Sequence, residues 1–118
     1  MTTDTMQITT TDGAGQGQKI VTLKGPLNVH TVFGFHDAVR KDPPPSMILD
    51  FSAVPYIDSA GLGALVAANI AAQKTRRKLA LAGINTQVNA LMEMTHVAKL
   101  FKVYPTVHEA EVALDSVE

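Results

Sequence analysis

Cysteine and tryptophan are missing from the 118 residues of this chain, and aromatic residues make up only 5% of it. Without cysteine there is no disulfide framework and no thiolate metal site, a composition that suits a reducing cytosol. Charge is scarce as well: charged residues are 18% and the net charge is -1, so no global field recruits nucleic acid or an anionic membrane surface. No apolar run approaches the roughly 20 residues of a membrane span. The opening Met1-Thr2-Thr3-Asp4-Thr5 has neither the basic region nor the apolar stretch of a secretory signal, so the expected location is the cytoplasm. Internal repeats and low-complexity segments are also lacking. What remains is a chain that is 46% hydrophobic, enough to bury a real core in one domain spanning 1–118. Flexible ends are expected at 1–5 and 116–118.

Hydrophobic periodicity orders the elements. Met6-Gln7-Ile8-Thr9 alternates as a half-exposed strand does, and Ile20-Val21-Thr22-Leu23 is a β-branched run. The glycine-rich Asp12–Gly17 between them reads as a hairpin connection; it fits neither nucleotide-binding glycine pattern and precedes a strand, not a helix. A helix is expected from about His30 to Lys41, with Val32, Phe35, Ala38 and Val39 on its inner face. Pro43-Pro44-Pro45 ends it, and Ser46 to Phe51 reads as a central strand buried on both faces. A long helix follows from Ser59 to about Thr75. It has Leu62, Leu65, Val66, Asn69 and Gln73 on one side and Ala64, Ala67, Ala68 and Ala71 on the other. This helix is either packed on two sides or offers a flat face to a partner, which could be a second copy of the chain. Lys74, Arg76, Arg77 and Lys78 suit the negative end of its dipole. A strand at Leu79–Ala82 and a short helix capped by Asn85 or Thr86 come next. A last strand is expected near Leu100–Val103, and a helix begins at the capping-box pair Thr106 and Glu109. Strand–helix alternation of this kind implies an α/β fold: a mixed sheet of about five strands with about four helices, the N-terminal strand antiparallel at the edge.

The stretch Asp58-Ser59-Ala60-Gly61-Leu62-Gly63 carries the functional question. It places a hydroxyl at the start of a helix, at the positive end of the dipole, with glycines beside it. Such a serine can be a nucleophile, a phosphate acceptor or a helix cap worth about 1 kcal/mol. The nucleophile elbow of hydrolases needs Gly-x-Ser-x-Gly, and here Ile57 holds the first glycine position. His96 and His108 lie downstream, with nothing in the sequence tying either to Ser59. His30 and His36 share no metal-ligand spacing, and no paired carboxylates are placed for acid–base work. Glu109 and Glu111 are expected to cap and solvate the last helix. No catalytic residue, metal or cofactor is expected. Cap and phosphate acceptor remain, and they are compatible.

The run Tyr56 to Gly63 resembles the signature of STAS domains, specifically of bacterial anti-sigma factor antagonists. Leu23-Lys24-Gly25-Pro26-Leu27-Asn28 is similar to that family's strand-to-loop segment, and Gln87–Thr95 to its third helix. The element order matches from about Met6 to Leu114. The resemblance implies a non-enzymatic regulator of transcription that binds an anti-sigma factor with serine kinase activity, is released when phosphorylated on Ser59, and is reset by a PP2C-type phosphatase. It puts Asn28, Thr31, Asp58, Ala60, Gly61 and Leu62 in the environment of the phosphosite and of the partner. Asn28 stands where the family usually has Asp: asparagine keeps the hydrogen bonding of a turn residue and loses the charge. The same fold also serves as a subunit of ABC-type lipid transporter complexes, in which Ser59 would do no more than cap its helix.

Overall fold

The computed structural model describes residues 5–115; of the ends expected to be flexible, 1–4 and 116–118 lie outside the described residues. Five strands form one sheet in the order β1-β2-β3-β4-β5. They are β1 (Gln7–Asp12), β2 (Gln18–Lys24), β3 (Ser46–Ala53), β4 (Lys78–Ala82) and β5 (Lys102–Tyr104). β1 pairs antiparallel with β2 at the edge, and every other pair is parallel. The helices are α1 (Val32–Arg40), α2 (Ser59–Lys74), α3 (Thr86–Met94) and α4 (Val107–Asp115). The expected mixed α/β sheet with four helices is therefore the fold observed.

Sheet register explains the apolar run Met47-Ile48-Leu49 of β3. Leu49 lies beside Val21 on β2 and Leu81 on β4. These side chains, with Met47 and Phe51, build the larger core with Phe35 and Val39 of α1, Leu65 of α2 and Val88 and Met92 of α3. Ile48 lies beside Ile20 and Ala80, and this row faces Ala110 and Leu114 of α4 on the other side. Alternation along a strand puts successive side chains on opposite faces, so a segment covered on both faces, as Met47–Leu49 is, carries apolar residues at consecutive positions.

Two boundaries and one helix face depart from the periodicity. α1 begins at Val32, not His30, because the Asn28 carbonyl accepts from both Thr31 N (3.0 Å) and Val32 N (3.0 Å), folding 28–31 into a turn ahead of the helix. Ala98–Leu100 is a 3-10 turn with Leu100 half exposed, so β5 starts at Lys102. Gln73 lies exposed at the end of α2; the buried stripe of that helix is Gly61, Leu62, Leu65, Asn69 and Ala72. Asn69 satisfies its burial by donating to the Leu100 carbonyl at 2.9 Å. The hairpin connection closes with Gly13 N donating to Gln18 O at 2.8 Å, and Glu111 of α4 accepts from Ala14 N at 2.8 Å. Across this hairpin Lys19 pairs with Asp12; its hydrogen bond first, and its charge second, hold the Asp12 carboxyl below the usual carboxylate range.

The start of α2 is pressed against the loop after β2. A Cβ on Gly61 would stand 2.2 Å from the Leu27 carbonyl oxygen, whereas one on Gly63 would meet nothing within 4 Å. Backbone cannot yield as a flexible side chain does, so Gly61→Ala should cost about 1–3 kcal/mol through overpacking. Gly63→Ala should gain up to about 1 kcal/mol from helix propensity. Thermal melts of the two variants should therefore shift in opposite directions; equal shifts would contradict this packing.

Candidate functional site

Two loops leave the carboxyl ends of β2 and β3 and continue side by side past the sheet. Gly25 N donates to Ala53 O (3.0 Å), Leu27 N to Tyr56 O (3.2 Å) and Asp58 N to Leu27 O (3.2 Å). Leu27 and Ile57 form an isolated parallel bridge between them. This ladder holds Asp58 extended, with φ -106° and ψ -173°, so the chain turns helical only at Ser59.

Asp58, and not Ser59, is consequently the cap of α2. The residue before the first helical one must have non-helical backbone angles and offer an oxygen to the first-turn amides; Asp58 meets both conditions. Its Oδ1 accepts from Gly61 N at 2.9 Å and its Oδ2 from Val29 N at 3.1 Å. One carboxylate thus caps the helix and fastens it to the loop after β2. The expectation that Ser59 caps the helix is corrected: Ser59 is the first residue inside it, its side chain is exposed, and among the described residues nothing hydrogen-bonds its hydroxyl.

The residues expected around the serine divide into a surface and its support. Asn28 and Thr31 are buried, as are Gly61 and Leu62; Ala60 and Asp58 are half-buried. Thr31 Oγ1 accepts from Asn28 N (2.9 Å) and donates to Pro26 O (2.9 Å), fixing the turn before α1. Asn28 Nδ2 donates to Tyr56 Oη at 3.1 Å, and its Oδ1 accepts from His30 N at 2.9 Å. Asn28 thus reaches the loop before Ser59 directly through Tyr56, and its neighbour Val29 reaches it through the amide on Asp58, so these residues shape the face from beneath.

What the face presents outward was missed by periodicity. Val29 is 57% exposed, Phe33 83% and Tyr56 40%. Val32, Phe33 and His36 of α1 line an open groove with Ala60 and Ala64 of α2, and a second depression continues it along Arg40, Ala67 and Ala68. Phe33 falls outside the stripe Val32, Phe35, Ala38 and Val39, and an aromatic on the polar side of an amphipathic helix was the available signal. Clustered apolar exposure of this kind marks interaction surfaces. All four histidines are exposed, and no group of three or more His, Cys, Asp or Glu among the described residues could hold a metal.

The family model of the STAS domain matches residues 5–110. The chain belongs to the STAS domain family. Solved structures agree with this STAS fold. An anti-sigma factor antagonist from Mycobacterium paratuberculosis is 25% identical, with 92% of each chain covered and a TM-score of 0.78. SpoIIAA of Bacillus superposes in its unphosphorylated form (15% identity, 95% of this chain and 99% of that chain, TM-score 0.75). Its phosphorylated form superposes as well (14%, 92% and 99%, TM-score 0.68). A sulfate transporter family protein from Wolinella succinogenes also shares the fold (21%, 83% and 84%, TM-score 0.70). Within the described residues of this STAS domain, no helix is long and apolar enough to cross a membrane.

Because the cap is Asp58, Asp58→Ala should lower stability by about 1–2 kcal/mol, read as a melting temperature roughly 4–8 °C lower. Ser59→Ala should stay within about 0.5 kcal/mol of the parent. A larger loss from Ser59→Ala than from Asp58→Ala would return the capping role to the serine.

Proposed function

We propose that this STAS domain is an anti-sigma factor antagonist in the cytoplasm. It docks on an anti-sigma factor with serine kinase activity, and phosphorylation of Ser59 switches the docking off. The observation that carries this reading is the division of labour between adjacent residues. Asp58 does the structural work at the start of α2, which leaves an exposed hydroxyl on Ser59 that the fold does not use.

Electrostatics gives the switch its sign. A phosphate adds about -1.5 to -2 charges. At the first turn of α2 the helix dipole tolerates that charge, so the fold survives it. The phosphate would stand beside the Asp58 carboxylate, on a surface that also exposes the apolar groups of Val29, Phe33 and Tyr56. A partner surface that buries those apolar groups would have to desolvate the new charge as well, which costs several kcal/mol unless it is paired. The chain is then substrate and ligand of the kinase, with ATP bound by the partner and a PP2C-type phosphatase restoring the hydroxyl.

A transporter subunit is the competing assignment, and a sulfate transporter family protein shares the fold. In that role the serine was expected only to cap its helix. Asp58 already does so, which leaves Ser59 without a purpose there.

Calorimetry against the purified ATPase-fold anti-sigma factors of the host genome separates the two. Ser59→Ala should bind like the parent and Ser59→Asp at least tenfold more weakly. Equal affinity of the two variants would rule out the switch.

A further inference from the structure

Tyr56 lies on the rim of the Ser59 face, 40% exposed as a residue, and its hydroxyl is tied inward to a buried amide. The direction of that bond is fixed by its neighbour. Asn28 is 3% exposed, and its Oδ1 accepts from the His30 backbone N–H at 2.9 Å. A backbone amide can only donate, so the carbonyl end of the Asn28 side chain faces His30 and the NH2 end faces the phenol. Tyr56 Oη is therefore an acceptor within the protein, and a phenol that accepts still has its own proton to give. Among the described residues nothing takes that proton.

We infer that Tyr56 is a specificity-determining hydrogen-bond donor of the docking face, and that Asn28 is the positioning residue that keeps its proton turned outward. The inference rests on the reading that the Ser59 face docks a protein. It gives that partner a definite chemistry: an apolar surface covering Val29 and Phe33 that carries, opposite Tyr56, an acceptor, a carboxylate or a backbone carbonyl, to receive the Tyr56 hydroxyl. Val29 and Phe33 supply desolvation without direction; an oriented O–H inside that apolar surround rejects a surface that leaves it unpaired, because an unmet buried donor costs more than a met one gains.

Asn28→Asp inverts the arrangement with almost no change of shape. A carboxylate still accepts from His30 N, but it cannot donate to Tyr56. The phenol then gives its proton inward and has none to offer a partner. Tyr56→Phe removes the donor outright. In the docked complex the two substitutions should each lose the same hydrogen bond, so their effects should not add.

The test is a binding cycle with the parent, Asn28→Asp, Tyr56→Phe and the double variant, titrated against the purified anti-sigma factor that binds the parent and releases Ser59→Asp. Thermal melts establish that each variant is folded. Each single variant should bind about fivefold more weakly, the worth of one net hydrogen bond, and the double variant no more weakly than either. Additive losses, about 25-fold in the double variant, would overturn the role of Asn28. Parent-like binding of Tyr56→Phe, a change at an exposed ring that keeps the fold, would overturn the inference even if Asn28→Asp fails to fold. If the parent binds none of the anti-sigma factors, the docking reading falls and this inference with it. If docking and Ser59→Asp release are intact while Tyr56→Phe is silent, the inference falls alone.

Discussion

The Asp58 carboxylate is the contact on which the Ser59 end of this molecule depends. One oxygen holds the first turn of α2 through Gly61 N, and the other holds the loop after β2 through Val29 N. Charge-assisted bonds to backbone amides are among the stronger hydrogen bonds a protein makes. Their effect here is to make two separate segments one rigid edge. The Gly61 backbone can lie against the Leu27 carbonyl only because residue 61 has no Cβ, so the clamp and the glycine are two parts of one approach.

From that constraint the character of the face follows. Once the loop after β2 is fixed, Thr31 and Asn28 turn the chain into α1 with their own side-chain oxygens. α1 then lies alongside α2 and carries Phe33 out over the groove. Ser59 is left at the tip with its hydroxyl unengaged.

Much of the fold was legible because β3 carries a consecutive apolar run and α2 a long uninterrupted helical stretch. A fully apolar Met47-Ile48-Leu49 predicts a strand covered on both faces, and the sheet has helices on both sides of it. Boundaries were less legible where a side chain competes with the backbone pattern. The Asn28 turn shortens α1 at its start, and a 3-10 turn takes Leu100 out of the last strand. The site was legible as a location and misread in its roles. Asp and Ser are comparable caps by local preference, and only the pairing of Asp58 N with Leu27 O, a contact between distant parts of the chain, decides that the extended residue is 58 and the first helical one 59. The exposure of Phe33 and the direction of the Asn28–Tyr56 bond depend on packing that a single sequence does not state.

The most direct test of the account is phosphorylation of the folded chain. The parent and Ser59→Ala are incubated with ATP and the anti-sigma factor kinase that binds them, then followed by intact mass and by thermal melting. The account predicts one phosphate on the parent, none on Ser59→Ala, and a phosphorylated product that melts cooperatively within a few degrees of the unmodified chain, since Asp58 and not Ser59 holds the helix start. A phosphate on Ser59→Ala, or a parent that loses its cooperative melt when phosphorylated, would contradict it.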